Sequence, residues 1–160
     1  MDKVYIGKIV NTHGIKGELR ILSDFPYKDK VFKINNKLII DDKNYTIKSY
    51  RVHKNYDMVT LDDYKDINEV LFLLKKQVYF NKEDLLLNDK EILDEDLIRY
   101  KVIAKDGKCG TIKEIFMASP SNKILRVELD KEILVPFNSP MIVNIDKEKE
   151  EITIDIIDGM

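Results

Sequence analysis

The sequence has few of the residues that catalytic and metal centres use most. Among its 160 residues there is one cysteine, Cys109, with two histidines, His13 and His53, and no tryptophan. A single cysteine excludes an internal disulfide and a thiolate metal cluster, and it is typical of proteins in a reducing cytosol. The two histidines lie far apart in the chain and give no metal-ligand spacing. We therefore predict that the chain has no metal site and no cofactor.

Long apolar runs are absent as well. No run approaches the roughly 18 residues that a membrane helix needs. The start of the chain, Met1-Asp2-Lys3-Val4, lacks the basic stretch and apolar core of a signal peptide. Hydrophobic residues make up 44% of the chain and charged residues 35%, which is a globular composition. We expect a cytoplasmic globular protein with no membrane partner, folded as one ordinary domain or two small ones.

Motifs of known enzyme classes are missing. The sequence has no phosphate-binding Gly-rich loop that ends in Lys-Ser or Lys-Thr, no Gly-x-Ser-x-Gly elbow and no EF-hand loop. The carboxylate pairs Asp41-Asp42 and Asp62-Asp63 stand at predicted strand ends, where turn residues are more common than paired catalysts. Cys109 has Lys108 beside it but no partner base. We predict that the protein is not an enzyme.

The charges are divided unevenly along the chain. Residues 1–54 contain twelve Lys and Arg against six Asp and Glu, whereas residues 85–160 contain eleven against sixteen. A basic surface suits phosphate, and an acidic surface suits a basic protein. Chance variation between solvated faces is the alternative explanation for this division.

Most of the chain has the pattern of short β-strands separated by turns, which favours small barrels or sandwiches. One segment differs, since Asp66 and Glu69 have capping-box spacing ahead of the apolar run 70–74 and predict a short helix. Asp106-Gly107 is a strong hairpin turn, and residues 118–122 are predicted as a loop. The predicted strands are 4–10, 19–21, 37–40, 45–52, 58–61, 78–80, 97–104, 110–116, 125–129, 133–137, 141–145 and 151–157.

The predicted organisation is mainly β, with a first domain at 1–82, a linker at 83–95 and a second domain at 96–160. Five tyrosines of the basic half fill the first barrel core or form a stacking surface for bases, and the sequence alone leaves both open. They are Tyr5, Tyr27, Tyr45, Tyr50 and Tyr56.

The first hairpin is the most informative segment. Gly14 and Gly17 flank Ile-Lys between two predicted strands, where glycine tolerates a positive φ. His13, Lys16 and Arg20 add cationic or titratable groups to the same segment. A Gly-x-x-Gly loop clamps an RNA backbone in KH domains. Strands rather than helices flank the loop here, so we reject the KH fold. The physical argument still applies, because glycines let a backbone approach a phosphate and adjacent cations add favourable charge.

Residues 6–21, followed by Ser23-Asp24-Phe25-Pro26, resemble the N-terminal signature of the bacterial RimM family of ribosome maturation factors. The second half resembles the family's PRC-type barrel. The matching pieces there are Asp96-Leu97-Ile98, Asp106-Gly107 with Gly110, Leu134-Val135-Pro136-Phe137 and Asp158-Gly159. The resemblance implies an N-terminal translation-factor-like β-barrel followed by a C-terminal PRC-type β-barrel.

The resemblance also implies a function. The family binds the immature 30S subunit and small-subunit ribosomal protein nineteen, and it supports maturation of the subunit head and processing of 16S rRNA. We expect a monomeric, chaperone-like protein. The residues expected to face RNA are Thr12, His13, Gly14, Lys16, Gly17 and Arg20. The residues expected to bind the protein partner are Ile92, Leu93, Pro136 and Phe137.

Some positions depart from the family pattern, and some alternatives stay open. Ile92 and Leu93 stand where the family often has an aromatic pair, and Arg99 replaces a usual glycine. Pro136 and Phe137 are either partner contacts or core residues. The first alternative function is a PRC-barrel interaction module with a non-ribosomal partner, and the second is an rRNA-modifying or rRNA-cleaving enzyme.

Overall fold

The computed structural model describes residues 2–156, and the chain divides into two compact units after Leu86. Each unit is built around its own set of strands. The predicted strand end at Ile157 and the Asp158-Gly159 motif lie outside the described residues.

The N-terminal unit is a closed barrel of six strands in the order β1-β2-β5-β4-β3-β6. Every predicted strand of this half is confirmed, and most run a few residues longer than the prediction. The strands are β1 (Lys3–His13), β2 (Glu18–Leu22), β3 (Lys37–Ile40), β4 (Lys43–His53), β5 (Tyr56–Leu61) and β6 (Gln77–Asn81).

Alternation of apolar and polar residues explains why these segments form a barrel. In β2, Leu19 and Ile21 are buried while Arg20 between them lies on the outer face. The same period of two places Val4 and Ile6 of β1 in the core, and Ile9 is buried further along the same strand. Closure of the sheet leaves no unpaired edge in this unit.

Two short α-helices belong to the N-terminal unit: α1 (Lys28–Val31) and α2 (Ile67–Val70). The predicted capping box at α2 is confirmed. The Asp66 carboxylate accepts hydrogen bonds from the Asn68 and Glu69 N–H groups, and the Glu69 carboxylate accepts one from the Asp66 N–H. A 3₁₀ turn at Leu71–Leu73 continues the chain to β6.

A buried carboxylate joins three elements of this barrel. Asp57 of β5 is 1% exposed. Its Oδ1 accepts a hydrogen bond of 2.6 Å from the Tyr50 hydroxyl of β4, and its Oδ2 lies 2.8 Å from the Lys28 ammonium of α1. Burial and the bond to Asp57 raise the pKa of Tyr50. The Tyr50 ring stacks on Phe32, with ring centroids 5.1 Å apart.

The C-terminal unit is a six-stranded sheet in the order β10-β9-β8-β7-β12-β11. All pairs are antiparallel except β7 with β12, which is parallel. The strands are β7 (Lys101–Ala104), β8 (Cys109–Ser119), β9 (Asn122–Glu128), β10 (Glu132–Pro136), β11 (Ile142–Asp146) and β12 (Glu151–Ile154). A short helix, α3 (Asp94–Leu97), precedes β7.

One hydrophobic core serves the whole C-terminal sheet. Val102 of β7, Leu125 of β9, Val135 of β10 and Ile152 of β12 are all fully buried in it. Strands from both halves of the sheet therefore curve around a shared interior, as a barrel-type fold requires. The mainly-β architecture predicted from the sequence is confirmed.

Two local predictions in this unit are wrong. The sequence pattern predicts strand at residues 97–100, but they form the end of α3 and a turn, and β7 begins at Lys101. Three acidic residues, 94–96, fill the first turn of α3, where the helix dipole favours negative charge. The predicted loop 118–122 is also too long, because β8 and β9 stay paired as far as Ser119 and Asn122.

We predict that Asp57→Ala lowers the free energy of unfolding of the N-terminal unit by about 3 kcal/mol, because it leaves Lys28 and Tyr50 without their shared partner. Urea unfolding followed by tyrosine fluorescence measures this, since seven of the eight tyrosines lie in residues 1–86. Lys3→Gln is the control. It removes an exposed ion pair with Asp42 and is expected to cost under about 1 kcal/mol. Equal losses in the two variants would contradict the prediction.

Candidate nucleic-acid interface

The loop between β1 and β2 is a tight four-residue turn at residues 14–17. Gly14 and Gly17 have φ values of +70° and +82°, as the sequence predicted. The Ile67 N–H of α2 donates a 3.0 Å hydrogen bond to the Ile15 carbonyl. A Cβ on Gly17 would lie 3.0 Å from the Asp66 carbonyl oxygen. The loop is thus held against the start of α2 at a distance that favours glycine.

A second hairpin lies beside the first. β5 pairs with β2 through Leu19–Val59, Arg20–Met58 and Ile21–Asp57, and it pairs with β4 on its other side. Lys54 and Asn55 form the β4–β5 turn with φ values of +49° and +68°. His13 and His53, the residues that precede the two turns, are in contact with one another.

Four aromatic, imidazole and guanidinium side chains meet there, and we call them the His–Arg cluster: His13, Arg20, His53 and Tyr56. Arg20 Nη2 donates a 3.1 Å hydrogen bond to His13 Nδ1. The Arg20 guanidinium carbon lies 5.1 Å from the centre of the Tyr56 ring, within range of a cation–π interaction. The His13 and His53 ring centroids are 5.4 Å apart.

An ion pair lies next to this cluster. Arg51 of β4 donates through Nε and Nη2 to the two carboxylate oxygens of Glu18, at 2.8 and 2.7 Å. The hydrogen bond from Arg51 is the main reason that the pKa of Glu18 lies below its ordinary value. The charge of Arg51 is therefore matched by Glu18, whereas Arg20 has no carboxylate partner among the described residues.

The residues predicted to face RNA have different roles in this geometry. Gly14 and Lys16 are exposed at the tip of the loop, and Thr12 and His13 are half-buried beside it. Gly17 is buried and shapes the loop rather than presenting a surface. Arg20 is half-buried on the outer face of β2. The structure brings His13 and Arg20 into direct contact, and their role toward RNA stays a prediction.

The sequence reasoning missed part of this arrangement. It identifies His53 only as a histidine of the basic half, and it does not single out Arg51, Lys54 or Glu18. Their placement depends on the pairing of β2 with β5, which joins segments about forty residues apart. Of the five tyrosines of the basic half, Tyr5 is 52% exposed and the others are half-buried. None of the five is fully buried, but Tyr50 packs on buried Phe32 and bonds buried Asp57, so it contributes to the interior of the barrel. A stacking role toward bases stays a prediction for the others.

The C-terminal residues predicted to bind a protein partner occupy two kinds of environment. Ile92 and Leu93 are 3% and 6% exposed, and Ile92 belongs to the core of the C-terminal unit. Apolar side chains that close a core offer almost no surface to a partner, so direct contact by these two residues is not supported. Pro136 is half-buried at the end of β10.

Phe137 is half-buried and lies at one side of a surface groove of about 510 Å³. Its ring packs against the core, and the Lys123 ammonium lies 5.4 Å from the ring centre. The groove follows the edge strand β11, where Val143 is 48% exposed. Its other lining residues are Asp89, Lys90, Asn138, Ser139, Pro140, Ile142, Asn144 and Ile145.

The described part of the chain has neither a cluster of metal ligands nor a helix that could span a membrane. Within residues 2–156, no three His, Cys, Asp or Glu side chains are grouped so that they could hold a metal ion. Over the same range, no helix has the length and apolar character needed to cross a bilayer.

Comparison with known proteins gives two matches that together span nearly the whole chain. The RimM N-terminal domain family matches residues 4–85, and the RimM PRC barrel domain family matches residues 94–160. The chain belongs to the RimM family. The first match covers the barrel that holds the His–Arg cluster, and the second covers the sheet that holds the Phe137 groove.

Curated relatives in this family are similar along their full length. The ribosome maturation factor RimM of Staphylococcus saprophyticus is 34% identical over 166 residues, covering 99% of this chain and 98% of the relative. The ribosome maturation factor RimM of Bacillus mycoides is 30% identical, covering 97% of this chain and 96% of the relative. A crystal structure of a 16S ribosomal RNA processing protein RimM from Pseudomonas aeruginosa matches with 22% identity and a TM-score of 0.47, covering 98% of each chain.

We predict that Gly17→Ala destabilises the N-terminal unit by about 2 to 3 kcal/mol and Gly14→Ala by only about 1 kcal/mol. Both substitutions place alanine at a positive φ, but only a Cβ at Gly17 meets a neighbouring backbone. Urea unfolding of the two variants beside the wild type gives the comparison. Equal losses would mean that the approach of Gly17 to Asp66 is not a constraint.

Proposed function

We propose that this protein is a ribosome assembly factor that binds the immature 30S subunit in the cytoplasm and acts by binding rather than by catalysis. The observation that carries the proposal is RimM-family membership along the whole chain, with full-length relatives named ribosome maturation factors. In this proposal the N-terminal barrel contacts 16S rRNA of the subunit head. The C-terminal unit contacts small-subunit ribosomal protein nineteen.

The chemistry of the β1–β2 hairpin supports contact with RNA. Lys16 is exposed in the same loop as Gly14, which is also exposed and has no side chain to keep a phosphate from the backbone. Arg20 presents a guanidinium that no carboxylate of the described chain neutralises. Most protein contacts to nucleic acid use such donors on phosphate, and they hold the ligand in position without reading its sequence.

The C-terminal unit has a different chemistry, which suits a basic protein. Residues 85–160 carry more acidic than basic side chains. The groove beside Phe137 adds partly exposed apolar surface from β11, with polar side chains at its rim. Aromatic and aliphatic anchors inside a polar rim are the usual form of a protein-binding patch. We assign Phe137 and Pro136 to this surface, and Ile92 and Leu93 to its support from within.

The proposed mechanism requires no bond to break. The protein binds the immature head, holds rRNA and ribosomal protein in an arrangement that permits assembly, and leaves when the mature state forms. Selection of the immature particle is then a difference in affinity between two states of the subunit. Each ~1.4 kcal/mol of that difference gives about a tenfold preference.

Co-sedimentation with immature and mature 30S subunits tests the proposal as a whole. We expect preferential binding to the immature particles at moderate salt. Binding to neither particle would overturn the proposal and point to a non-ribosomal partner of the PRC-type domain. Turnover of precursor rRNA by the pure protein would overturn the non-catalytic mechanism.

We predict that Lys16→Gln weakens binding to immature 30S subunits and reduces the salt dependence. Each cationic side chain that no longer meets a phosphate removes about 0.9 from the slope of log K against log salt on duplex. Lys37→Gln in β3 is the matched control, because it removes one exposed lysine from a strand that pairs with neither β1 nor β2. An unchanged slope for Lys16→Gln would remove this loop from the RNA-binding surface.

We predict that Val143→Ser lowers the affinity for isolated small-subunit ribosomal protein nineteen by about tenfold, since the apolar side chain is buried on binding. Val52→Ser in β4 of the N-terminal barrel is the control, because it makes the same change at a valine that is 65% exposed in the unit assigned to RNA. Isothermal titration calorimetry measures both affinities. Equal effects of the two substitutions would mean that the groove beside Phe137 is not the binding surface.

A further inference from the structure

The end of the N-terminal barrel holds more cationic groups than the β1–β2 hairpin alone provides. Lys16 and Arg20 come from the first hairpin, whereas Arg51 and Lys54 come from the second. Glu18 of β2 is an acidic residue beside these cations, and its carboxylate accepts two hydrogen bonds from Arg51. The two hairpin ends together therefore form a net positive surface that includes both histidines of the chain.

Arg20 is held in position but only partly hydrogen-bonded. A guanidinium has five N–H donors. The described hydrogen bond of Arg20 is the one to His13 Nδ1, and its buried Nε has no partner within residues 2–156. The guanidinium also lies over the Tyr56 ring, a contact that uses no donor. Arg20 therefore keeps both donors and an uncompensated charge for an anion, whereas the charge of Arg51 is matched by Glu18.

The hydrogen bond between Arg20 and His13 has only one possible direction. A guanidinium can only donate, so Nδ1 of His13 is the acceptor in this arrangement. The second histidine, His53, also lies near positively charged side chains. Partial burial, followed by the nearby charges of Arg51, His13, Lys54 and Arg20, lowers the pKa of His53. An anion bound beside the two rings would reverse the electrostatic part of this effect.

We propose that His13, Arg20, His53 and Lys54 form a binding site for an RNA phosphodiester, and that the site takes up a proton from solvent when it is occupied. The proposal deepens the proposed function and rests on it, because precursor rRNA supplies the phosphodiester. The added proton resides on an imidazole nitrogen. Once Nδ1 of His13 is protonated it no longer accepts from Arg20, so both groups can donate to phosphate oxygens.

Other groups around the two rings do not share this behaviour. The facing charged and titratable groups are His13 of β1, Glu18 and Arg20 of β2, Arg51 and His53 of β4, Lys54 of the turn and Tyr56 of β5. The lowered pKa of Glu18 keeps it ionised near neutral pH. Among these residue types, only histidine has an ordinary pKa between pH 6 and 8. The two imidazoles therefore carry the pH dependence of the site.

The experiment compares binding to immature 30S subunits at about pH 6.5 and about pH 8.0 at one fixed salt concentration. Uptake of one proton on binding lowers the affinity by up to about tenfold for each unit of pH, so we expect wild-type binding to be about tenfold weaker at the higher pH. The test variant is His13→Gln with His53→Gln, because glutamine still accepts from Arg20 but does not titrate. Lys37→Gln serves as the control for a surface change, and thermal unfolding checks that each variant is folded.

Each outcome decides one point. A wild-type pH dependence that Lys37→Gln retains and the double variant loses supports the site, because titration of the ribosome itself is common to all three proteins. Equal wild-type affinity at the two pH values overturns the proton-linked site but leaves the proposed function standing. A pH dependence that persists in the double variant also overturns the site. Wild-type protein that binds the particles at neither pH overturns the proposed function as well.

Discussion

The buried carboxylate of Asp57 is the constraint on which the arrangement of the N-terminal barrel depends. A carboxylate taken out of water is costly unless it is paired and hydrogen-bonded, and Asp57 is tolerated only where Tyr50 and Lys28 both reach it. Successive side chains of a strand point to opposite faces, so an inward Asp57 directs Tyr56 to the outer face. A slip of one residue would bury Tyr56 and separate it from Arg20. The ion pair inside the barrel thereby fixes the geometry of the cluster outside it.

Two arginines on the outer face show how the same side chain acquires different functions from its neighbours. Arg51 makes a two-point contact with Glu18 and cross-links β4 to β2, so its charge serves the barrel. Arg20 donates to the His13 imidazole and lies over the Tyr56 ring, so its charge remains for a ligand. Removing Glu18 would increase positive charge but release Arg51 from its fixed position. The acidic residue therefore organises the basic surface rather than opposing it.

Patterns of residues close in sequence predicted most of the fold. The features that they did not predict depend on pairing between strands that are far apart in sequence. The capping box at Asp66, the positive φ of Gly14 and Gly17, and the strand periods depend on residues close in sequence. The His–Arg cluster depends on β2 pairing with β5, which no local pattern specifies. The short helix α3 was missed because its apolar positions also fit a strand, although the acidic residues of its first turn are of the kind that a helix N-terminus favours. For the same reason the five tyrosines could be assigned to a face only once the pairing was known.

Burial of Ile92 and Leu93 changes what the C-terminal unit can offer a partner. Side chains that are 3% and 6% exposed already obtain their hydrophobic stabilisation inside the unit, so exposing them for a partner would cost about as much as docking them returns. An apolar side chain that is still half-exposed, such as Val143 beside Phe137, can add to the binding free energy when a partner removes it from water. Substitution at Ile92 or Leu93 would alter binding through the shape and stability of that surface. A loss of affinity there is evidence of contact only when the unit keeps its native stability.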